Sequence, residues 1–393
     1  MKIIFLSSYD GGRVVKRSPD PDNNSFYVIG LNGRRARALK KFFPQYDIEV
    51  WRFSKNTVGY FEKNIEDIQF KVYPAFRIKN IIDFSFKGMR ELINLSKRET
   101  VLLYLPHIHK GLVYLVSFLF KNFPIIVHDH GEIPPKIKIL SKNPIKKILY
   151  KFNLFIEKLV LKNIDFFCFG DQNQIQYIEE IFPKFKGELT PSMGLDLSVF
   201  YSVNKIAAKQ KLGWDTNKKY ILYVGRLEKI KNVDELIYIW TEIKKEMPEV
   251  ELVYIGGLET DPFYNLAKEK NVIMYPRTMN VDLYIYYSAA DVYAVFGLEN
   301  GKFAGMGVAP AESLACGTPV VSDNLRNILG STLDGIGEAP QTLDELKQAI
   351  IKVLQNPNNY TKCRDVIVQH YTEEAIAKRF DQLIKQVSSK YSH

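Results

Sequence analysis

Cysteine is scarce in this 393-residue sequence, which contains only Cys168, Cys316 and Cys363. The number is odd, the three positions are far apart, and no two of them have the short spacing of a metal-binding pair. A disulfide framework or a structural zinc site is therefore excluded as the basis of the fold. We expect an intracellular chain that works in reducing surroundings.

Long hydrophobic runs are also missing. The longest, Gly111–Phe120, has ten residues, about half of the ~20 that a membrane-spanning helix requires. Met1 and Lys2 lead straight into a strand-like run, without the pattern of a signal peptide. We therefore expect a cytoplasmic protein.

The positive charge of the chain is concentrated in its first half. Residues 1–195 contain 31 Lys and Arg against 19 Asp and Glu, a net charge of +12, whereas the remainder has 23 against 25, a net charge of −2. This asymmetry indicates a partner with anionic groups. A membrane surface, a lipid-phosphate acceptor and a nucleic acid all have this property.

Short β-rich runs alternate with helical patterns along both halves. Such alternation predicts parallel sheets covered by helices, and the length predicts two domains. The predicted fold class is α/β, with two Rossmann-like, doubly wound domains facing each other across a cleft. The predicted strands are residues 2–8, 47–53, 101–106, 124–130 and 165–170, then 220–225, 250–257, 271–276, 292–296 and 318–322.

The stretch Phe296–Asp323 combines a strand end, a glycine-rich loop, a short helix and a second strand. Pro310 opens the predicted helix and Gly317 closes it, as is usual for helix ends. A glycine loop lets the backbone approach a ligand, and the N–H groups at a helix start favour an anion. Glu312, two residues into the helix, is suited to sugar hydroxyls beside that anion. The stretch therefore predicts a sugar-nucleotide site.

This stretch resembles the donor site of the retaining glycosyltransferases of family 4, whose two Rossmann-like domains form the GT-B fold. In that family, a Glu is followed after seven residues by a second Glu, which leads into a helix of small residues and then Gly-Thr-Pro-Val-Val. Glu312 and residues 316–321 match the second half of this pattern. The first Glu falls at Ala304, so either Glu299 replaces it after an insertion or its role is lost. The resemblance implies that the donor lies against the backbone of Gly305, Met306, Gly307, Val308 and Ala309.

Gly225, Arg226 and Lys231 follow a predicted strand and resemble the family's Gly-Arg-Leu…Lys pattern, in which the two cations hold the donor diphosphate. Fixed cations at a strand end can neutralise the charge that grows on a leaving nucleoside diphosphate. We predict catalytic roles for Arg226 and Lys231. The alternative is a pair of solvated cations in a turn between strand and helix.

Histidines follow two predicted strands of the first half. The run His128–His130 does not predict a metal site, because side chains of an extended run alternate between faces. The family works without a metal, so neither metal nor cofactor is expected. The resemblance implies that His130 contacts the donor sugar and that Gly12 lies beside the donor phosphates. We interpret His107 and His109 as packing and acceptor-side residues, and a purely structural role is the alternative for each histidine.

A lysine-rich segment, residues 133–162, contains eight lysines and a single acid, Glu157. Asn143 and Pro144 predict a helix start, after which apolar residues recur at helical spacing. A basic amphipathic helix can lie on an anionic membrane. The alternative is a core-packing helix with lysines around it, and the sequence leaves both open.

The domain boundaries follow from the resemblance, which implies a hinge within residues 191–205. Residues 1–195 would bind the acceptor and residues 196–370 the donor. Residues 371–393 would contain a last helix, about 373–390, that crosses back onto the first domain.

These residues together predict a retaining, metal-independent, hexosyltransferase-like glycosyltransferase that moves a sugar from a nucleoside-diphosphate donor to a hydroxyl acceptor. The expected acceptor is a glycan or lipid-linked glycan at the membrane, used for a surface polysaccharide or glycolipid. Attachment to an anionic membrane surface, at the inner face of the cell membrane, is a further expectation.

Three other functions are alternatives to this prediction. A nicotinamide-dependent dehydrogenase is disfavoured, because no strand leads into a clear G-x-G-x-x-G motif with an acid about twenty residues on. A nucleic-acid-binding protein would explain the basic first half but not Arg226, Lys231 and Glu312 at the family spacing, so no nucleic-acid partner is expected. A degenerate member that binds sugar nucleotides without catalysis would explain Ala304.

Overall fold

The computed structural model describes residues 1–8, 21–28, 30–78, 82–139, 143–192, 194–227, 229–297, 305–330 and 333–391. The chain divides into two compact units, residues 1–194 with 373–393, and residues 195–372. It therefore passes between the units twice, after Gly194 and after Thr372. Leu195 and Thr372 are bridge partners beside these two points.

The first unit is built on parallel strands. Its strands are β1 (Lys2–Ser7), β2 (Asp47–Ser54), β3 (Phe61–Ile65), β4 (Ile68–Pro74), β5 (Phe76–Ile78), β6 (Ile82–Phe84), β7 (Val101–Pro106), β8 (Ile125–His128), β9 (Phe166–Phe169) and β10 (Gly187–Leu189). Eight of them form one sheet in the order β10-β9-β8-β7-β1-β2-β4-β3. In this sheet β3 is antiparallel to β4, and the other neighbouring pairs are parallel. Strands β5 and β6 form a separate antiparallel pair. The strand order reverses between β1 and β7, where ligands bind in such sheets.

Helices cover both faces of this sheet. They are α1 (Asn24–Val28), α2 (Leu31–Phe42), α3 (Phe86–Ser96), α4 (Gly111–Leu119), α5 (Pro135–Lys138), α6 (Pro144–Val160) and α7 (Gln172–Ile181). Strand β1 shows the result: Ile3 and Phe5 belong to one buried apolar cluster, and Ile4 and Leu6 to the other. A strand buried on both faces is expected to be apolar throughout.

The second unit contains a six-stranded, fully parallel sheet. Its strands are β11 (Lys219–Val224), β12 (Val250–Ile255), β13 (Ile273–Tyr275), β14 (Val292–Val295), β15 (Val320–Ser322) and β16 (Gly337–Glu338). Their order, β13-β12-β11-β14-β15-β16, is the doubly wound order of a dinucleotide-binding domain, with the reversal between β11 and β14.

The helices of the second unit are α8 (Lys205–Lys211), α9 (Val233–Glu246), α10 (Tyr264–Glu269), α11 (Asn280–Ala289), α12 (Val308–Ala315), α13 (Leu343–Gln355) and α14 (Cys363–His370). Short 3₁₀ turns in the chain are Leu161–Asn163, Lys229–Lys231, Asp323–Asn327, Pro357–Asn359 and Ser389–Tyr391. Among the described residues, none of the helices combines the length and apolar character needed to cross a membrane.

The last helix, α15 (Glu373–Ser388), belongs to the first unit. It packs against α2, and its residues Phe380 and Ile384 join the buried cluster of Ile3 and Phe5. Arg379 fixes its position, because the guanidinium donates to the Leu189 carbonyl oxygen at 2.9 Å.

The predicted strands are all present, and one of them, β13, lies at an edge of its sheet. The strands that the sequence did not predict are the edge strands β3, β10 and β16, the interior strand β4, and the separate pair β5 and β6. β3, with the sequence FEKNI, has alternate residues facing solvent. An edge strand accepts polar and charged side chains, and such a strand therefore lacks the apolar run by which the buried strands were recognised.

Candidate functional site

Strands β11, β14 and β15 are neighbours and parallel, so their carboxyl ends lie at one edge of the second unit's sheet. Arg226 and Lys231 come after β11, Gly297 comes after β14, and Asp323 comes after β15. Helix α12 connects β14 to β15 and begins at the same edge. The predicted donor-binding residues within the described ranges are thus placed on adjacent elements.

The turn that carries Arg226 requires glycine. Gly225 has a φ of 152° and a Cβ there would lie 2.9 Å from the Tyr223 hydroxyl oxygen. That hydroxyl donates to the Arg226 carbonyl oxygen at 2.8 Å. The backbone of Arg226 is fixed, while its side chain is exposed.

Asp261, which was not among the predicted residues, holds two of these loops. Its Oδ2 accepts the backbone N–H groups of Leu227, after β11, at 3.2 Å and of Leu258, after β12, at 3.1 Å. The carboxylate therefore acts as a clamp between neighbouring strand ends.

Lys231 ends the 3₁₀ turn Lys229–Lys231, and its side chain is exposed. The next residue, Asn232, is buried and has a φ of 45°, in the left-handed region that Asn tolerates. Its Nδ2 donates to the Phe296 carbonyl oxygen at 2.9 Å. The loop after β11 is thereby tied to the end of β14.

Asp323 completes this edge, although the sequence did not single it out. Its Oδ1 accepts the backbone N–H of Gly297 at 3.1 Å. Burial raises the pKa of this carboxyl group, while the Gly297 N–H and the charges of Arg326 and Lys231 lower it. Lys231 therefore lies close enough to Asp323 to act on its charge.

The start of α12 is open to solvent. Gly307, with a φ of 86°, precedes the helix, and both Gly307 and Val308 are exposed. The first N–H groups of a helix have no acceptor within it, and the helix dipole adds partial positive charge there. The helix begins two residues before the predicted Pro310, which lies inside its first turn, whereas Gly317 follows its end with a φ of 84°.

Glu312 lies in the second turn of α12 and is only 6% exposed. Its Oε2 accepts a hydrogen bond from the Tyr287 hydroxyl of α11 at 2.8 Å. Burial and the charge of Glu312 raise the pKa of Tyr287 well above its usual value, so the phenol stays a donor. The carboxylate is thus held in place, and its contact with a ribose stays a prediction.

In the first unit, His107 and His130 lie at the carboxyl ends of the neighbouring strands β7 and β8. Their ring centroids are 5.3 Å apart. His128 stacks on His130 at 4.4 Å with an interplanar angle of 16°, as expected for residues i and i+2 of an extended run. Three imidazoles are therefore grouped at one sheet edge.

Two residues that were not predicted surround His130. Its Nδ1 lies 3.3 Å from the Ser192 hydroxyl oxygen, and the buried guanidinium of Arg35 donates to the Ser192 carbonyl oxygen at 2.5 Å. Burial, followed by the charge of Arg35, holds the pKa of His130 well below its usual value. The ring is thus neutral at neutral pH, and its buried Nε2 has no hydrogen-bond partner among the described residues.

A carboxylate pair lies beside these histidines. Glu132 contacts His107 Nδ1. Burial raises the pKa of Glu132, but the contacts with His107, His130 and Asp129 together outweigh burial and lower the pKa to about 2. Burial and the charge of Glu132 raise the pKa of Asp129 well above its usual value. The two pKa shifts have opposite directions, so Glu132 is the stronger acid of this pair.

His109 was interpreted as a packing and acceptor-side residue, and its surroundings show the packing part of that interpretation. It is buried, its Nδ1 lies 2.5 Å from Glu157 Oε1, and its Nε2 lies 3.1 Å from Gln174 Oε1. Both ring nitrogens are engaged inside the unit, so the structure favours packing as its role. The predictions for Gly12, Glu299 and Ala304 fall outside the described residues. Within those residues, no group of three or more His, Cys, Asp or Glu side chains is placed to hold a metal ion.

Residues 204–369, all in the second unit, match the model of the family described as glycosyl transferases group 1. An uncharacterized glycosyltransferase of Methanocaldococcus jannaschii is 25% identical over 390 residues, which is 92% of this chain and 96% of that protein. Seven other curated relatives match over 30% to 46% of their own length.

Solved structures resemble the whole chain. Sucrose-phosphate synthase from Thermosynechococcus elongatus has a TM-score of 0.67 at 19% identity, covering 99% of this chain and 100% of that one. The Anabaena protein HepE, solved in complex with UDP, has a TM-score of 0.64 at 15% identity, covering 98% and 100%. These similarities show the GT-B fold, and together with the family model and the full-length relative they support a glycosyltransferase of the GT-B type.

Proposed function

We propose that this protein is a retaining glycosyltransferase that transfers a sugar from a nucleoside-diphosphate donor to a hydroxyl acceptor carried by the membrane. One observation carries the proposal. The exposed cations Arg226 and Lys231 and the solvent-facing start of α12 lie at one edge of a sheet, within the range that matches the glycosyltransferase family.

The donor diphosphate would be held at this edge. Arg226 and Lys231 supply charge, and the N–H groups at Gly307–Ala309 supply donors aimed at phosphate oxygens. Each charge-assisted hydrogen bond contributes about 1.5–3 kcal/mol. Because the fold relative HepE was solved with UDP, UDP-sugars are the first donors to test. Glu312 would receive the ribose hydroxyls, and Glu299 would contact the transferred sugar.

His130 would hydrogen-bond the donor sugar in its neutral form. Its low pKa keeps a second positive charge away from the anomeric carbon, where positive charge develops as the leaving group departs. Retention would follow from attack on the same face of the sugar, with the leaving phosphate accepting the proton of the acceptor hydroxyl. Arg226 and Lys231 would then stabilise the departing diphosphate, and the reaction would need no metal.

The acceptor would be a glycan or lipid-linked glycan used for a surface polysaccharide or glycolipid. The net charge of +12 on residues 1–195 supports an acceptor or surface with anionic groups. The protein would then work at the inner face of the cell membrane.

Thermal unfolding in the presence of candidate ligands tests the proposal. We expect UDP- or GDP-sugars to raise the melting temperature, because a ligand that binds only the folded state stabilises it. NADH or DNA should leave it unchanged. Stabilisation by NADH or DNA alone would refute the donor site.

Catalysis needs a separate measurement. Incubation of donor with membrane extract and NMR of the product should show transfer with the anomeric configuration of the donor, unaffected by a chelator. Donor binding without transfer or hydrolysis would instead favour the degenerate, non-catalytic alternative.

A further inference from the structure

Helix α6 has an apolar stripe that is left exposed by the part of the chain that the structure describes. Ile145, Ile148, Phe152 and Phe155 are 70%, 68%, 59% and 59% exposed. Leu149 and Leu159, on the same stripe, are exposed as well. A soluble domain rarely leaves such a continuous apolar surface in water unless that surface binds a partner.

The opposite side of α6 is fixed to the first unit by its one acid. Glu157 is fully buried and its carboxylate accepts from the Tyr114 hydroxyl at 3.1 Å and the Tyr177 hydroxyl at 2.5 Å, in addition to its contact with His109. Because these partners lie on or next to α4 and α7, the rotation of α6 about its axis is set. The apolar stripe therefore cannot turn inward while this network persists.

Lysines accompany the stripe. Lys146, Lys147, Lys151 and Lys158 are all exposed on α6, and the only acid of residues 133–162 is the buried Glu157. The outward surface of the helix thus presents apolar side chains and positive charge without an exposed acid. This combination is complementary to a surface that has negatively charged groups on the outside and an apolar layer beneath them.

Neighbouring elements extend the apolar surface. Helices α4 and α5 both pack against α6. At the end of α4, Phe118 and Leu119 are exposed, and Ile137 is exposed on α5. Apolar side chains are therefore exposed on α6 and on both of these elements that pack against it.

We propose that the outward face of α6 docks the protein on a lipid bilayer that contains anionic lipids, with the helix lying in the plane of the surface. Basic amphipathic helices bind in this way, with the apolar side chains among the acyl chains and the lysines at the headgroups. The inference deepens the proposed function, since it rests on an acceptor held in the membrane. A second copy of the chain is disfavoured as occupant, because each copy would bring the same lysines to the contact.

Vesicle sedimentation with the full chain tests this proposal. We expect binding to phosphatidylcholine vesicles that contain phosphatidylglycerol, little binding to phosphatidylcholine alone, and release by salt. The triple change Lys146→Glu, Lys147→Glu and Lys151→Glu should weaken binding about 100-fold or more, since each lysine near the surface contributes about fivefold or more. The triple change Ile148→Gln, Phe152→Gln and Phe155→Gln should also abolish tight binding while leaving the lysines in place.

Matched controls lie on the second unit. Lys211→Glu, Lys245→Glu and Lys268→Glu alter three exposed lysines by the same charge, and Ile206→Gln, Val281→Gln and Val368→Gln alter three exposed apolar side chains. Both control proteins should bind vesicles as the unmodified chain does. An equal loss in the lysine controls would mean that net charge, and not α6, directs binding, and would overturn the proposal.

Three further results would overturn the proposal that α6 docks on a bilayer. Equal binding to neutral and anionic vesicles, or no binding to either, overturns the proposal, as does a dimer that dissociates when Phe152 and Phe155 are changed to Gln. Donor-induced thermal shifts measured on the same samples separate this inference from the proposed function. A normal donor shift without vesicle binding refutes the docking face alone, whereas vesicle binding without any donor shift refutes the donor site alone.

Discussion

At the scale of single residues, three cations in one loop of the second unit have different surroundings. Lys229 is bound to Asp234 at 2.5 Å and lies 3.8 Å from Glu235. Arg226 and Lys231, which bracket it, have exposed side chains at the edge where β11, β14 and β15 end. The three cations therefore differ in position: Lys229 forms an ion pair with α9, whereas Arg226 and Lys231 are exposed at the strand ends where the proposed diphosphate would lie.

This difference gives a first prediction. Arg226→Ala and Lys231→Ala should each lower kcat/KM for sugar transfer at least tenfold, because each would remove a charge-assisted bond of about 1.5–3 kcal/mol. Lys229→Ala is the matched control and should change the rate little, since exposed ion pairs contribute about 0–1 kcal/mol. Steady-state rates with a fixed acceptor measure the effect. Near-normal rates for Arg226→Ala and Lys231→Ala would remove both residues from the site.

The family resemblance implied roles for Arg226, Lys231 and His130, each of which closely follows an apolar strand in sequence, and these roles stay predictions. Residue spacing could not predict Arg35, whose guanidinium contacts Ser192 across 157 positions. The same limit applies to Asp261, which contacts Leu227 from 34 positions away. Such contacts depend on how strands are ordered in the sheet, and a single sequence does not record that order.

At the scale of elements, the start of α12 depends on a glycine conformation. Gly307 has a φ of 86°, and its Cβ position would contact only the Pro310 ring, at 3.6 Å. Gly213 in the same unit has a φ of 69° with nothing within 4 Å of its Cβ position. Both glycines have a positive φ that strains a substituted alanine, and Gly307, with a ψ of 170°, lies in a region that essentially only glycine adopts. Only Gly307 lies at the proposed donor site.

A second prediction compares Gly307 with Gly213. Gly307→Ala and Gly213→Ala should each lower the free energy of unfolding by about 1–3 kcal/mol, since Ala is strained at positive φ. Only Gly307→Ala should also weaken UDP-sugar binding, because it shifts the N–H groups that face the phosphate. Calorimetric titration of both variants checks this. Equal donor affinity in the two proteins would show that the start of α12 does not bind the donor.

The pattern in α6 shows how far element-scale prediction reaches. Helical spacing placed Ile145, Ile148 and Phe152 on one stripe, but it did not determine whether the stripe packs in the core. Its exposure, set by the burial of Glu157 on the other side, argues against the core-packing alternative. The helical spacing of the apolar residues determines which side chains share a face of the helix. The direction of that face is determined by the partners of Glu157, which lie on other elements.

At the scale of the whole molecule, the end of the chain completes the first unit. Phe380 of α15 is buried, and its ring centroid lies 5.7 Å from that of Phe5 and 5.1 Å from that of Tyr104. The family resemblance implied a returning helix, but composition alone shows only an amphipathic helix. Which unit it would cover depends on the complementary apolar face of α2 and β1, far away in sequence.

A third prediction follows from this connectivity. Phe380→Ala should destabilise the first unit by about 3–5 kcal/mol, because it leaves a cavity between Phe5 and Tyr104. Ile350→Ala, at a fully buried position of α13 in the second unit, is the counterpart and should cost about 2–5 kcal/mol there. Hydrogen exchange followed by mass spectrometry should show faster exchange of β1 and β7 in Phe380→Ala, and of β11 and β14 in Ile350→Ala. If Phe380→Ala instead loosened β11 and β14, α15 would be supporting the second unit, and the division of the chain into two units would be wrong.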